Sequence, residues 1–364
     1  MERRNRLVIN LDNVDANINL FQSFQKNKTM IGVVKANGYG CGDLHITQEL
    51  INLGIDFIAV SSLSEAMHIR RHFKDVEILV LGVIFKEDLQ VAKDNNIIVT
   101  VPSYDWCVEA HRQLQNIRVH IKLDTGMNRL GCKSELELKH CLSILLEKQA
   151  HIEGVFTHFA TSDAQDDSVS NQQFKRFRQM VESVDYSFQW IHCDNTDASI
   201  KFKEDFTNAF RVGIGMYGFS SSKLRLFPSV SLMTRIVSCK SVTRGEKVSY
   251  GLTHTFAKNG YVCTLPIGYA DGILRINQNR KVYIDGRYYD IVGRICMDQM
   301  MIFSDKPFSR GVDVEIFGPH IPLTLMAQEL NTIPYEILCC ISDRVPRYYT
   351  RNNRIVDDAI FRKQ

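Results

Sequence analysis

The first two-thirds of the chain alternates short apolar, β-rich runs with amphipathic stretches. The runs are 31–35, 57–61, 78–82, 97–101, 118–124, 152–158, 190–195 and 210–215, and segments such as 43–53, 64–73, 87–95 and 134–148 between them read as helices. Near-continuous apolar strands alternating with helices predict a parallel sheet covered on both faces. Eight such units in roughly 200 residues predict a TIM-like (β/α)8 barrel, with a doubly wound open sheet as the alternative. After Phe227 the pattern changes. Residues 229–242, 261–268, 281–295 and 312–317 alternate apolar and polar, as half-buried antiparallel strands do. Asp285-Gly286 between two of them is a type I′ hairpin signal. Helical pieces are expected at 323–329 and 335–341. The expected fold is therefore α/β: a barrel over residues 8–226, then a smaller β-rich domain over 227–364 with which residues 1–7 pack.

Composition narrows the class. Of 364 residues, 45% are hydrophobic and 23% charged, and the net charge is only +3, with no long basic block. That gives no electrostatic case for nucleic acid or membrane partners. No apolar run reaches the roughly 20 residues that span a bilayer. The basic N-terminus lacks a signal-peptide apolar core, because Asn10 and Asp12 interrupt it. A soluble, cytoplasmic protein is expected. The ten cysteines form no C-x-x-C pair or zinc-like cluster and are expected to stay reduced, without a metal.

Barrel enzymes carry their chemistry at the C-terminal ends of the strands. Those ends hold Lys35, the stretch from Lys122 to Arg129, His158, Asn195 with Thr196, and Arg211 with Gly213. So cationic a mouth suits an anionic ligand. Gly213-Ile-Gly-Met-Tyr-Gly218 matches the dinucleotide fingerprint, but no acid follows at the usual distance and the motif closes the βα series instead of opening it. Backbone N–H groups around a phosphate fit it better. Gly38-Tyr-Gly-Cys-Gly42 lacks the Lys-Ser/Thr of a P-loop. Lys35 closes an apolar strand, where desolvation makes an amine nucleophilic; both a Schiff-base role and an ion-pair role are open. His68 and His72 have metal-like spacing, yet Arg70 and Arg71 between them favour a solvated helix face. His158 ends a strand, and a catalytic and a core role both fit it.

Together the motifs resemble those of bacterial alanine racemases. Val33-Val-Lys-Ala-Asn-Gly-Tyr-Gly40 is similar to the family's cofactor-lysine signature. Lys122-Leu-Asp-Thr-Gly-Met-Asn-Arg-Leu-Gly131, Thr157-His-Phe-Ala160, Arg211-Val-Gly-Ile-Gly-Met-Tyr-Gly218, Val248-Ser-Tyr-Gly251, Leu265-Pro-Ile-Gly-Tyr-Ala-Asp-Gly272 and Gly293-Arg-Ile-Cys-Met-Asp298 continue the match in order. The resemblance implies a homodimeric pyridoxal 5′-phosphate enzyme acting on a small amino acid, and a role in supplying D-alanine for a bacterial wall. It implies that Lys35 holds the cofactor covalently and that Tyr39, Thr196, Gly213 and Ile214 hold its phosphate, with Asn195 alongside. Arg211, backed by His158, would face the pyridine nitrogen. Arg129 would meet the cofactor's phenolic oxygen and the substrate carboxylate, oriented by Lys122, whose counterpart is carbamylated in some relatives.

Racemisation lifts the Cα proton from one face and returns it to the other, so two acid–base groups are required. The resemblance assigns Lys35 to one face and Tyr250 of the partner subunit to the other. Met297, Tyr269 and the adjoining Asp298 match residues that line the substrate pocket from the partner. Three positions depart from the pattern. Gly38 and Cys41 are small local changes. Asp343 stands where several relatives have a phosphate-bonding tyrosine that narrows the entrance, so serine or a broader set of small amino acids is the alternative substrate reading. Rival readings are a related decarboxylase, a flavin- or sugar-phosphate barrel enzyme, and a non-catalytic pyridoxal-phosphate-binding protein; the Tyr250 block argues against the last.

Overall fold

The computed structural model describes residues 5–222 and 224–356. The chain divides into two compact units: Asp15–Phe227, and the residues up to Val14 together with those from Pro228 on. The barrel therefore opens at Asp15, not at residue 8. Residues 1–4 and 357–364, which the expected domain limits included, lie outside the described residues.

The first unit is a closed parallel barrel of eight strands, as the periodicity predicts. With β1 assigned to Arg6–Asn10, its strands are β2 (Thr29–Val33), β3 (Phe57–Val60), β4 (Glu77–Val80), β5 (Ile98–Val101), β6 (Arg118–Lys122), β7 (His151–Phe156), β8 (Trp190–His192) and β9 (Ala209–Val212). β9 returns to pair with β2, from Thr29↔Ala209 to Gly32↔Val212. Strands β3 and β5 are buried at every position, which explains why β3 is apolar throughout and β5 is apolar except for Thr100, whose hydroxyl donates to Val80 O. The helices between them start on side-chain caps: Ser62, Ser103 and Ser134 each accept the backbone N–H three residues on. Close packing of helix on strand shows at Gly32, where an added Cβ would lie 2.4 Å from Leu50.

The second unit is built on an antiparallel-rich ten-stranded sheet. Its strands, after β1, are β10 (Val230–Arg235), β11 (Ser238–Val242), β14 (Gly260–Leu265), β15 (Lys281–Ile284), β16 (Arg287–Val292), β17 (Met300–Ser304), β18 (Asp313–Phe317), β19 (Arg347–Arg351) and β20 (Arg354–Ile355). The short pair β12 (Lys247–Val248) and β13 (His254–Thr255) stands apart from that sheet. β1 lies between β10, antiparallel, and β19, parallel. Its burial alternates in step with a half-buried strand, which is why residues 8–10 belong here. Asp285 and Gly286 have φ of 43° and 84°, forming the expected turn between β15 and β16.

Cysteine usage needs a correction. Cys239 and Cys263 face each other across β11 and β14 and are joined as a disulfide. The spacing of 24 residues hid the pair, because only strand register brings the two sulfurs together. Cys107, Cys132 and Cys141 are free and buried.

Candidate active site

Lys35 lies two residues beyond β2 and opens a turn, Lys35–Tyr39, of unusual hand. Ala36, Asn37, Gly38 and Tyr39 have φ of 53°, 54°, 59° and 56°, one turn of left-handed helix. For residues with a Cβ this conformation costs about 1–2 kcal/mol each, so it must be held. Gly38 N–H donates to Val34 O (2.9 Å), Gly40 N–H to Ala36 O (2.8 Å) and Gly42 N–H to Asn37 O (2.8 Å). The Asn37 side chain accepts from Asp43 N–H at 3.1 Å. Ala36 N–H, left over at the start of the turn, donates to Glu65 Oε1 at 2.8 Å.

This turn delivers the Tyr39 hydroxyl to Gly213, where an added Cβ would lie 2.1 Å from that oxygen. Only glycine leaves this space. Asn195 caps the helix Thr196–Lys201 by accepting Ala198 N–H at 3.1 Å, and also accepts from Ser162 Oγ at 2.8 Å. Thr196 Oγ1 accepts from Gly213 N–H (3.3 Å) and Gly215 N–H (3.4 Å). Ile214 is buried at the head of the 3-10 turn Ile214–Tyr217. Tyr39, Thr196, Gly213 and Ile214, the expected phosphate group, thus lie together.

Arg211 on β9 is buried. Its Nη1 donates to His192 Nδ1 at 2.5 Å, and Nη2 to Thr157 O (2.9 Å), Cys193 O (2.9 Å) and His158 Nδ1 (3.2 Å). Burial lowers its pKa to about 10, so it remains cationic near neutrality. A guanidinium can only donate. His192 Nδ1 must therefore accept, and its Nε2–H donates to His120 Nδ1 at 3.0 Å. The remaining proton sits on His120 Nε2, which has no partner among the described residues. Burial and then Arg118 and Arg211 push His120 down to about 3; burial and then Arg211 hold His192 and His158 well below the usual histidine range. Gly154 on the adjacent strand makes room, since a Cβ there would lie 2.6 Å from the His120 ring.

Lys122 ends β6 with its ammonium 4.6 Å over the Phe156 ring. Burial, then Arg211 and Arg129, lower its pKa to about 7. Asp124, the nearby acid, has Oδ1 taken by Gly126 N–H (3.1 Å) and Asn128 N–H (2.9 Å). Arg129 is exposed. Arg211, Lys122, Arg129 and Lys35 all bear on His158, so four cations surround one neutral imidazole. Such a surplus of positive charge suits a ligand carrying several negative ones. The sequence reading missed His120, His192 and Glu65. A signal existed for the histidines, His120 at the centre of β6 and His192 at the end of β8, but a buried histidine in a core looks the same.

In the sheet unit, Tyr250, Met297 and Asp298 line a cavity of about 720 Å³ with Ser249, Cys296 and Gln299. Tyr250 is 70% exposed and Met297 53%. Tyr269 N–H donates to Cys296 O (3.1 Å) and Ala270 N–H to Met297 O (3.0 Å). Gly268 permits this contact, because a Cβ there would lie 2.3 Å from Cys296 O. Buried Asp271 accepts Gly268 N–H at 3.0 Å, and Arg344 joins Asp298 (2.7 Å) to Asp271 (3.6 Å). Asp343, whose side chain is 96% exposed, pairs with Arg347 at 3.6 Å.

Comparison with known proteins bears on this geometry. The alanine racemase N-terminal domain profile matches residues 9–221, and the alanine racemase C-terminal domain profile matches residues 229–349. The chain belongs to the alanine racemase family. It is 39% identical to the alanine racemase of Staphylococcus epidermidis over 98% of both chains. With that of Streptococcus pyogenes serotype M12 it shares 40% identity over 87% of this chain and 90% of the relative. Among solved structures it is similar to the alanine racemase from Bacillus anthracis with bound L-Ala-P, with a TM-score of 0.93 and 33% identity, covering 98% of this chain and 97% of that one. The alanine racemase from E. faecalis gives a TM-score of 0.91 at 31% identity, covering 96% of this chain and 98% of that one.

Proposed function

We propose that the chain is a pyridoxal 5′-phosphate-dependent alanine racemase that works by two bases, as a homodimer with shared active sites in the cytoplasm. The observation that carries the reading is the set of groups at the strand ends: the Tyr39 hydroxyl and Thr196 gathered against Gly213, and four basic side chains acting on a neutral His158. That donor set fits a phosphate at one end and the carboxylate of an amino acid at the other. Tyr39, Thr196, Gly213 and Ile214 hold the phosphate, with Asn195 fixing the helix that carries Thr196. Lys35 is the covalent attachment point. When bound, the cofactor supplies an electron-withdrawing ring conjugated to Cα, which acidifies the proton there.

Arg211 donates to the ring nitrogen. Still cationic at neutrality, it is a weak acid and leaves that nitrogen without a proton, which disfavours transamination. Arg129 binds the substrate carboxylate. Lys35 moves the Cα proton on one face and Tyr250 of the partner subunit on the other. Met297, Tyr269 and Asp298 from the partner close the substrate pocket. The Lys122 amine, near 7 and flanked by Arg211 and Arg129, is half neutral at physiological pH and open to carbamylation, which would turn a repelling cation into an anion.

Purified protein should be yellow, lose that absorbance on borohydride reduction, and interconvert L- and D-alanine. Tyr250→Phe should suppress exchange of the Cα proton from one enantiomer more than from the other; exchange unaffected on both faces defeats the two-base reading. Serine is the second substrate proposed, because Asp343 is exposed and turned to Arg347. Comparing kcat/KM for alanine and serine decides it, and a strong preference for alanine defeats it.

A further inference from the structure

We infer that Glu65 is a positioning residue for the cofactor lysine, acting through the left-handed turn that joins Lys35 to Tyr39. The inference rests on the reading that these two residues hold pyridoxal phosphate. Glu65 sits in the first turn of the helix Leu63–His72. Its Oε2 accepts Ser61 N–H at 2.7 Å and Ser62 N–H at 3.3 Å, the second completing a capping box with Ser62. A cap uses one oxygen. The other, Oε1, reaches a different strand end and accepts Ala36 N–H at 2.8 Å. One carboxylate thus ties the chain after β2 to the chain after β3.

What it ties is the costliest backbone at the site. Ala36, Asn37 and Tyr39 carry side chains at φ of 53° to 56°, and the N–H of Ala36 has no acceptor inside its own turn. Reverting Ala36 to an ordinary right-handed conformation would break the Gly40-to-Ala36 bond. It would also swing the Tyr39 hydroxyl away from Gly213, altering the attachment lysine and the phosphate contact together. The charge-assisted bond from Glu65 opposes that reversal at its first residue.

The test uses full-length protein and four forms: wild type, Glu65→Ala, Glu65→Gln and Ser62→Ala. Ser62→Ala removes the cap of the same helix without touching the Ala36 bond, so it reports a purely structural role. Amide hydrogen exchange of the 34–42 segment is measured on apoprotein, and the dissociation constant for pyridoxal phosphate by titration. Glu65→Ala is expected to speed exchange in that segment and to raise the dissociation constant tenfold or more. Glu65→Gln, which keeps one acceptor oxygen, falls between, and Ser62→Ala leaves both near wild type. The proposal is overturned if Glu65→Ala and Ser62→Ala behave alike in both measurements. Should Glu65→Ala fail to fold, Glu65→Gln carries the same comparison. If wild type binds no pyridoxal phosphate the functional reading fails, while exchange in the 34–42 segment still decides whether Glu65 holds the turn.

Discussion

Replacing Lys122 with Met removes an ammonium from the barrel interior while keeping most of its stem. Burial beside Arg211 and Arg129 takes this amine from an ordinary value near 10.5 to about 7. At about 1.4 kcal/mol per tenfold, the charged form costs the apoprotein on the order of 5 kcal/mol. Below pH 7 both folded and unfolded chains carry the proton, so the whole cost is present. As pH rises from 7 towards 10.5 the folded chain releases the proton and the unfolded chain keeps it, so stability rises with pH. At pH 6 Lys122→Met should therefore be several kcal/mol more stable than wild type. Between pH 6 and 9 that advantage should shrink by about 3 kcal/mol. The Phe156 ring under the ammonium reduces the size of the effect but not its sign. The assay is urea unfolding of apoprotein in CO2-free buffers, which keep the amine unmodified. Both tryptophans, Trp106 and Trp190, lie in the barrel unit, so fluorescence follows that unit alone. A difference between the two proteins that stays flat from pH 6 to 9 refutes the argument.

Gly154→Ala should drive a Cβ into the His120 ring and destabilise the barrel by about 1–3 kcal/mol in the same assay. Gly213→Ala should displace the Tyr39 hydroxyl and raise the dissociation constant for pyridoxal phosphate at least tenfold, with little effect on that for unphosphorylated pyridoxal. His158 should stay neutral through the range near 6.5 where an ordinary histidine titrates, so its ring NMR shifts should not move there; burial and the Arg211 charge set that direction.

The barrel strands were legible because burial on both sides leaves mostly apolar runs, and β3 and β5 expose no position. The sheet was harder to read. Met300–Ser304 is buried at four of its five positions and so carries no alternation, while Arg6–Asn10 alternates but finds its partners more than two hundred residues away. Lys35, Arg211 and the group around Gly213 could be singled out from motifs at strand ends. Glu65 could not, since its helix looks ordinary and its second oxygen acts on a turn whose hand no propensity reveals. The His120–His192 chain was hidden for a related reason: tautomers are set by Arg211 from the adjacent strand, not by neighbours in sequence.

The placement of β1 makes the barrel an insertion within the sheet unit. Leu7 pairs with Leu232 on one side and with Arg347 on the other. At a synthesis rate of roughly 5–20 residues per second, β1 waits about 20–70 s for that second partner to be made. The barrel is complete in sequence long before then, and its own ends are pinned together where Asn17 bonds Phe227 in both directions. During synthesis the inserted barrel can thus close while β1 still lacks both of its sheet neighbours, β10 and β19.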